Sequence, residues 1–188
     1  MKRFKTVTAG LSAIALAGLG GCGAFSGLDD RPNVGPCPVA GVLYEAQRLV
    51  EIGEVERHEN VGFTGAIEGV KGFCRYVGKN PITMEVEIDF AFGKGPKAEG
   101  DEKDYTYFVS VTRRDRSVLA KDVSTIKVKF PKGADIVTRK ETVTGIVIPR
   151  ASETVSGTNF EVVVGFELTP EQLAYNRSGK RFTINVQK

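Results

Sequence analysis

His58 is the only histidine in the chain, and it sits in the charged run Glu54-Val55-Glu56-Arg57-His58-Glu59-Asn60. With Glu56 and Glu59 beside it, the ring has the neighbours of a metal ligand or a general base. Base catalysis by histidine also needs a nucleophile within hydrogen-bonding reach and a third group to orient the ring. The sequence offers no Gly-x-Ser-x-Gly elbow, no His-Glu-x-x-His and no phosphate-cradling glycine loop. His58 therefore reads as a solvated loop residue. Paired carboxylates can hydrolyse bonds without histidine, but a linear sequence does not say which acids meet across strands. Glu99, Asp101, Glu102 and Asp104 carry the oxygen donors that calcium takes. Lys97 and Lys103 lie among them and the spacing fits no calcium loop, so the run reads as a solvated hairpin tip. Arg113, Arg114 and Arg116 surround Asp115 at an expected turn. Guanidinium forks match phosphate and carboxylate, which makes the trio a candidate anionic-ligand patch, or equally an exposed hairpin end. No catalytic residue, metal ligand or cofactor is assigned.

The three cysteines carry the clearest chemistry. The chain begins Met1-Lys2-Arg3-Phe4-Lys5, continues with an apolar stretch from Val7 to Leu19, and reaches Leu19-Gly20-Gly21-Cys22. A basic start, a short apolar stretch and small residues before a cut are the parts of a secretory signal. Six glycines between Lys5 and Asp29, each costing about 1 kcal/mol of helix stability relative to alanine, argue against an uncleaved membrane helix. The last four of these residues resemble the lipobox of bacterial lipoproteins. That resemblance implies diacylglycerol on the Cys22 sulfur, removal of residues 1–21 and acylation of the new amino group. Two or more acyl chains hold a protein stably at a bilayer where one holds it marginally. By the same likeness, Gly23 in place of Asp after the lipidated cysteine points to the outer membrane, with the protein facing the periplasm.

Cleavage there leaves 167 residues, enough for one domain with a sizeable core. Lys2, Arg3 and Lys5 leave with the leader, so basic and acidic side chains become equal in number. A polyanion needs a basic excess, so no nucleic-acid partner is implied. With Cys22 assigned to lipid, Cys37 and Cys74 remain. Export to an oxidising compartment favours a disulfide between them. The alternatives are two free thiols or a metal pair, and two cysteines without a second histidine make a poor zinc site.

Residues 23–36, rich in Gly, Pro and Asp without a period, read with Cys22 as a tether over 22–36. From residue 37 to 188 the period is two. Ile82, Met84, Val86, Ile88, Phe90 and Phe92 alternate with Thr83, Glu85, Glu87, Asp89 and Ala91. One buried face and one wet face mark an antiparallel strand. Similar sets run over 105–111, 126–130, 160–168 and 182–186, with weaker ones at 41–51, 61–70, 73–78 and 142–148. Lys127 and Lys129 project from one strand in the manner of residues that guard an edge. Thr169-Pro170-Glu171-Gln172 predicts a helix of about two turns, with Leu173, Ala174 and Tyr175 facing inward. The expectation is an antiparallel β-sandwich, like an immunoglobulin or fibronectin type III domain, of eight or nine strands with one short helix before the last.

Beyond the anchor, Tyr107-Phe108-Val109-Ser110-Val111, Val118-Leu119-Ala120-Lys121 and the run from Gly165 to Arg177 resemble a group of alphaproteobacterial envelope lipoproteins with no assigned function. The likeness implies a compartment and transfers no catalytic residue. The functional expectation is a non-enzymatic, lipid-tethered interaction module that contacts another envelope protein. Two rivals remain. A ligand-binding lipoprotein for a lipid, glycan or wall fragment would show a cavity, or Tyr105, Tyr107 and arginines on one face; the absence of tryptophan weighs against sugar stacking. A carboxylate hydrolase would show two clefted acids within reach of each other.

Overall fold

The computed structural model describes residues 35–76 and 81–180. Within them lie eight strands: β1 (Val39–Val42), β2 (Arg48–Ile52), β3 (Val61–Tyr76), β4 (Ile82–Lys94), β5 (Glu102–Arg113), β6 (Val118–Lys129), β7 (Ile136–Ile148) and β8 (Phe160–Phe166). One helix, α1 (Pro170–Arg177), follows β8. Cys22, the leader over 1–21, most of the tether and the expected strand over 182–186 lie outside the described residues.

The strands form two four-stranded sheets, ordered β1-β8-β5-β6 and β2-β3-β4-β7. This is the all-β sandwich that the period of two predicts. Its likeness to an immunoglobulin domain is one of architecture, because the strand order differs from the ABED and CFG sheets of that fold. All pairs are antiparallel except β1 with β8, which is parallel. A parallel pair needs a long connection, and here everything between the two strands supplies it.

The inner faces meet in a core built on β4. Ile82, Met84, Val86, Ile88, Phe90 and Phe92 are all buried. Phe90 and Phe92 pack against Tyr105, Tyr107 and Phe166 of the facing sheet with ring centroids 4.3–6.5 Å apart. Phe63 and Phe130 close one end of the core at 5.6 Å.

Several local expectations change. Residues 41–51 form two strands in different sheets, because the chain turns through a 3-10 turn at Tyr44–Ala46. The expected strands over 61–70 and 73–78 join, as far as Tyr76, into one strand, β3, whose register slips between Ile67 and Gly69, while residues 77 and 78 lie outside the described residues. Thr169 caps α1 with the expected capping box to Gln172. Ala174, however, is exposed and no α1 residue is fully buried, since the helix lies on the surface. Among the described residues no helix is long and apolar enough to cross a membrane.

Candidate functional site

The two lateral sides of the sandwich differ. On one side the chain passes from β1 to β2 through the Tyr44–Ala46 turn and closes the gap between the sheets. α1 lies over that turn: the Asn176 amide donates to the Glu45 and Arg48 carbonyls at 2.7 Å, and Arg177 pairs with Glu45. Cys37 and Cys74 form the expected disulfide, with Cα atoms 5.6 Å apart. It ties the residues before β1 to β3 of the other sheet. Tyr76 adds a polar pin. Its hydroxyl donates to the Pro36 carbonyl and accepts from the Gly157 amide, while the buried Arg150 guanidinium stacks over its ring.

On the other side β6 and β7 are, among the described residues, the two sheet edges; the chain crosses between them through residues 130–135 at one end, and nothing described covers the gap along the rest of their length. Between them runs a cleft of about 230 Å³, lined by valines of β5 and β7 together with the charged Lys121 and Asp122 of β6. Val147 lines it and stays half-exposed; Val118 and Val123 of β6 are exposed nearby. The edges are partly guarded. Lys127 and Lys129 lie on the second half of β6, as expected of an edge strand. In β7 the inward register positions opposite Phe90 and Ile88 hold Arg139 and Glu141, and the register slips next to Gly145, whose φ is +75°. Inward charges and bulges both discourage uncontrolled pairing.

Asp122 of β6, which lines the cleft, and Glu141 of β7 approach Tyr107 from either edge. Tyr107 has its phenol pKa raised, first by burial and then by these two charges, against a lowering hydrogen bond from Ser124. Asp122 is exposed and Glu141 half-buried, so the pair lies along an open edge. The carboxyls moved from their ordinary range elsewhere, Asp101, Asp115 and Glu171, all move downward, through Lys94, Ser117 and helix-end hydrogen bonds.

The residues singled out from sequence fall in separate places. His58 is exposed in a 3-10 turn over His58–Asn60. The acidic run 99–104 spans the end of the link from β4 in one sheet to β5 in the other and the first residues of β5, where a hairpin tip is expected. Lys94 pairs with Asp101 and Lys103 with Glu51, and no group of three metal-ligating side chains occurs among the described residues. Tyr105 and Tyr107 are buried, and the Tyr105 hydroxyl donates to the Thr64 carbonyl at 3.0 Å. They join no surface patch with arginines, because the inward register of β5 is what its alternation selects. Arg113, Arg114 and Arg116 do share the β5–β6 turn. All three are exposed, and among the described residues none makes an ion pair. Asp115 between them accepts from the Ser117 amide and hydroxyl.

Sequence reading missed the seam. Its one trace was the interrupted alternation at Arg139 and Glu141, charges at positions where the neighbouring strand is apolar. Comparison with protein-family models, curated proteins and solved structures found no match.

Proposed function

We propose that this chain is a lipid-anchored, periplasm-facing module of the bacterial envelope that holds another protein along the β6–β7 seam. The leader and lipobox over 1–22 support the anchor. The observation that carries the interaction is the asymmetry of the sandwich: one side is covered by α1 and cross-linked, while among the described residues the other leaves two strand edges and a valine-lined cleft with a charged rim open to solvent. An added strand satisfies edge amides and carbonyls, and a large side chain fills the cleft, the combination used in β-augmentation. Confinement to a membrane raises the local concentration of such a weak, open surface near its partner.

A second reading, a ligand-binding lipoprotein, draws on the same cleft. Its volume lies below the 300–1,000 Å³ typical of small-molecule pockets, so it would take only one apolar arm of a ligand. A photo-crosslinking residue at Val147 in the membrane-anchored protein, followed by mass spectrometry, tests both. A discrete protein adduct is expected at Val147 and not at Val55, an exposed apolar position in the loop between β2 and β3. Recovery of lipid or glycan alone overturns the adaptor reading in favour of the second.

A further inference from the structure

The arginine trio and the start of the folded domain belong to the same end of the sandwich. Val39 of β1 is in register with Glu161 of β8, and Glu161 with Thr112 of β5. Two strand spacings separate β1 from β5, about 10 Å, so Pro38 enters the sheet close to Arg113. A single turn, Gly157–Asn159, links the two places physically. At one end of it Gly157 lies against Pro36, so close that a β-carbon would sit 2.4 Å from the Pro36 oxygen. At the other end the Asn159 carbonyl accepts from the Arg114 amide at 3.2 Å.

Charge separates the two ends. Among the described residues, the loops and turn residues at this end hold Arg113, Arg114, Arg116 and the buried Arg150, with Asp115 and Glu153 as the acids and no lysine. The connections at the far end, 53–60, 95–101 and 130–135, hold Glu54, Glu56, Glu59, Glu99, Asp101 and Asp135 against Arg57, Lys97 and Lys132. The end where the tether joins is thus arginine-rich and the far end acid-rich. The β5–β6 turn is also held in shape, by Arg113 amide to Ser117 carbonyl and Arg116 amide to Arg113 carbonyl hydrogen bonds, with Arg116 at φ +68°.

We propose that Arg113, Arg114 and Arg116 dock the domain onto the anionic phosphate headgroups of the bilayer that anchors it. The inference rests on the lipid anchor at Cys22. From Cys22 to Gly35 the chain would span about 20 Å as a Gly-rich coil and at most about 45 Å fully extended. The 13-residue strand β4 is about 40 Å long. Headgroups are therefore within easy reach of the tether end and seldom within reach of the acidic end. Docking there leaves the β6–β7 seam, which runs along the strands, facing sideways to a partner.

The test reconstitutes the full lipidated protein in vesicles of phosphatidylglycerol and phosphatidylethanolamine, or of phosphatidylcholine alone, with a headgroup-borne quencher. One fluorophore sits at Ala151→Cys near the tether, another at Lys132→Cys at the far end. Quenching at position 151 only, in anionic vesicles and reversed by high salt, is the expected result. Each basic residue at an anionic surface strengthens docking about fivefold, so Arg113→Gln with Arg114→Gln and Arg116→Gln should weaken it about a hundredfold while co-sedimentation stays complete. The triple Arg→Lys variant should restore it. Equal quenching at both ends, or no change in the glutamine variant, overturns the docking and leaves the anchor standing. Protein that stays in the supernatant overturns the anchor, and the docking with it.

Discussion

The β1–β2 side and the β6–β7 side enclose the same core, yet one is finished and the other is open. On the β1–β2 side a chain crossing, a helix, a disulfide and the Tyr76 pin all act between the two sheets. On the β6–β7 side a chain crossing at 130–135 ties one end, among the described residues only inward side chains bridge the rest of the gap, and charged residues at Arg139, Glu141 and Asp122 hold it from closing into a dry core. Stability is therefore concentrated on one side and unused bonding capacity on the other. That division suits a module that must remain folded while an edge stays free.

Substitutions on the two sides should separate accordingly. The largest expected effect is on the closed side. The disulfide spans 37 residues of sequence, and replacing both cysteines by serine should lower the unfolding free energy by about 4 kcal/mol in the chain-entropy picture. Denaturant titration with and without reductant measures it, and an unchanged midpoint would show that the other ties suffice alone. Next comes an alkaline limit, set beneath the open side. Tyr105 and Tyr107 have pKa values raised above the ordinary value of about 10, chiefly by burial. A raised folded pKa means stability is complete below pH 10 and falls as pH rises through it, because the unfolded chain releases those protons first. Between pH 10 and its folded pKa each tyrosine should cost at most about 1.4 kcal/mol per pH unit, and nothing further beyond it. Tyrosinate absorbance should rise together with unfolding, and Tyr107→Phe should flatten the slope.

Smaller again is Thr169→Ala, which removes the cap of α1 and should cost about 1 kcal/mol. Its useful signature is local: amide exchange should quicken in α1 and in the Tyr44–Ala46 turn beneath it, and not in β6 or β7. The smallest stability effect is expected at the seam. Val147→Lys places a charge on a half-exposed edge position and should stay within about 0.5 kcal/mol, while abolishing the photo-crosslinked adduct made through a second probe at Val123. A large loss of stability there would mean that the seam is core after all and that the two sides are alike.

The strands with strict alternation were legible in advance, and so was the capping sequence of α1. In both cases neighbouring residues along the chain carry the whole signal. The disulfide was legible too, since cysteine count and compartment leave few partners. What escaped were features made by distant segments. Nothing near residues 41–51 announces that the two halves join different sheets, because the break is a turn without Gly or Pro. Tyr105 and Tyr107 read equally well as surface or core until the facing Phe90 and Phe92 are placed. Asp122 and Glu141 are ordinary polar residues until β6 and β7 come to face each other.

From the sequence alone come a period of two, one helix cap, a cluster of arginines at a turn, and the basis for proposing an export leader with a thiol for lipid. Each of these depends on residues a few positions apart, where peptide geometry and transfer free energy act directly. Only the tertiary structure decides which strands are edges, which side is sealed and which end carries the arginines beside the tether. Those properties depend on pairing between residues as distant as Val39 and Glu161, and such pairing is settled by the closure of the whole core rather than by any local preference.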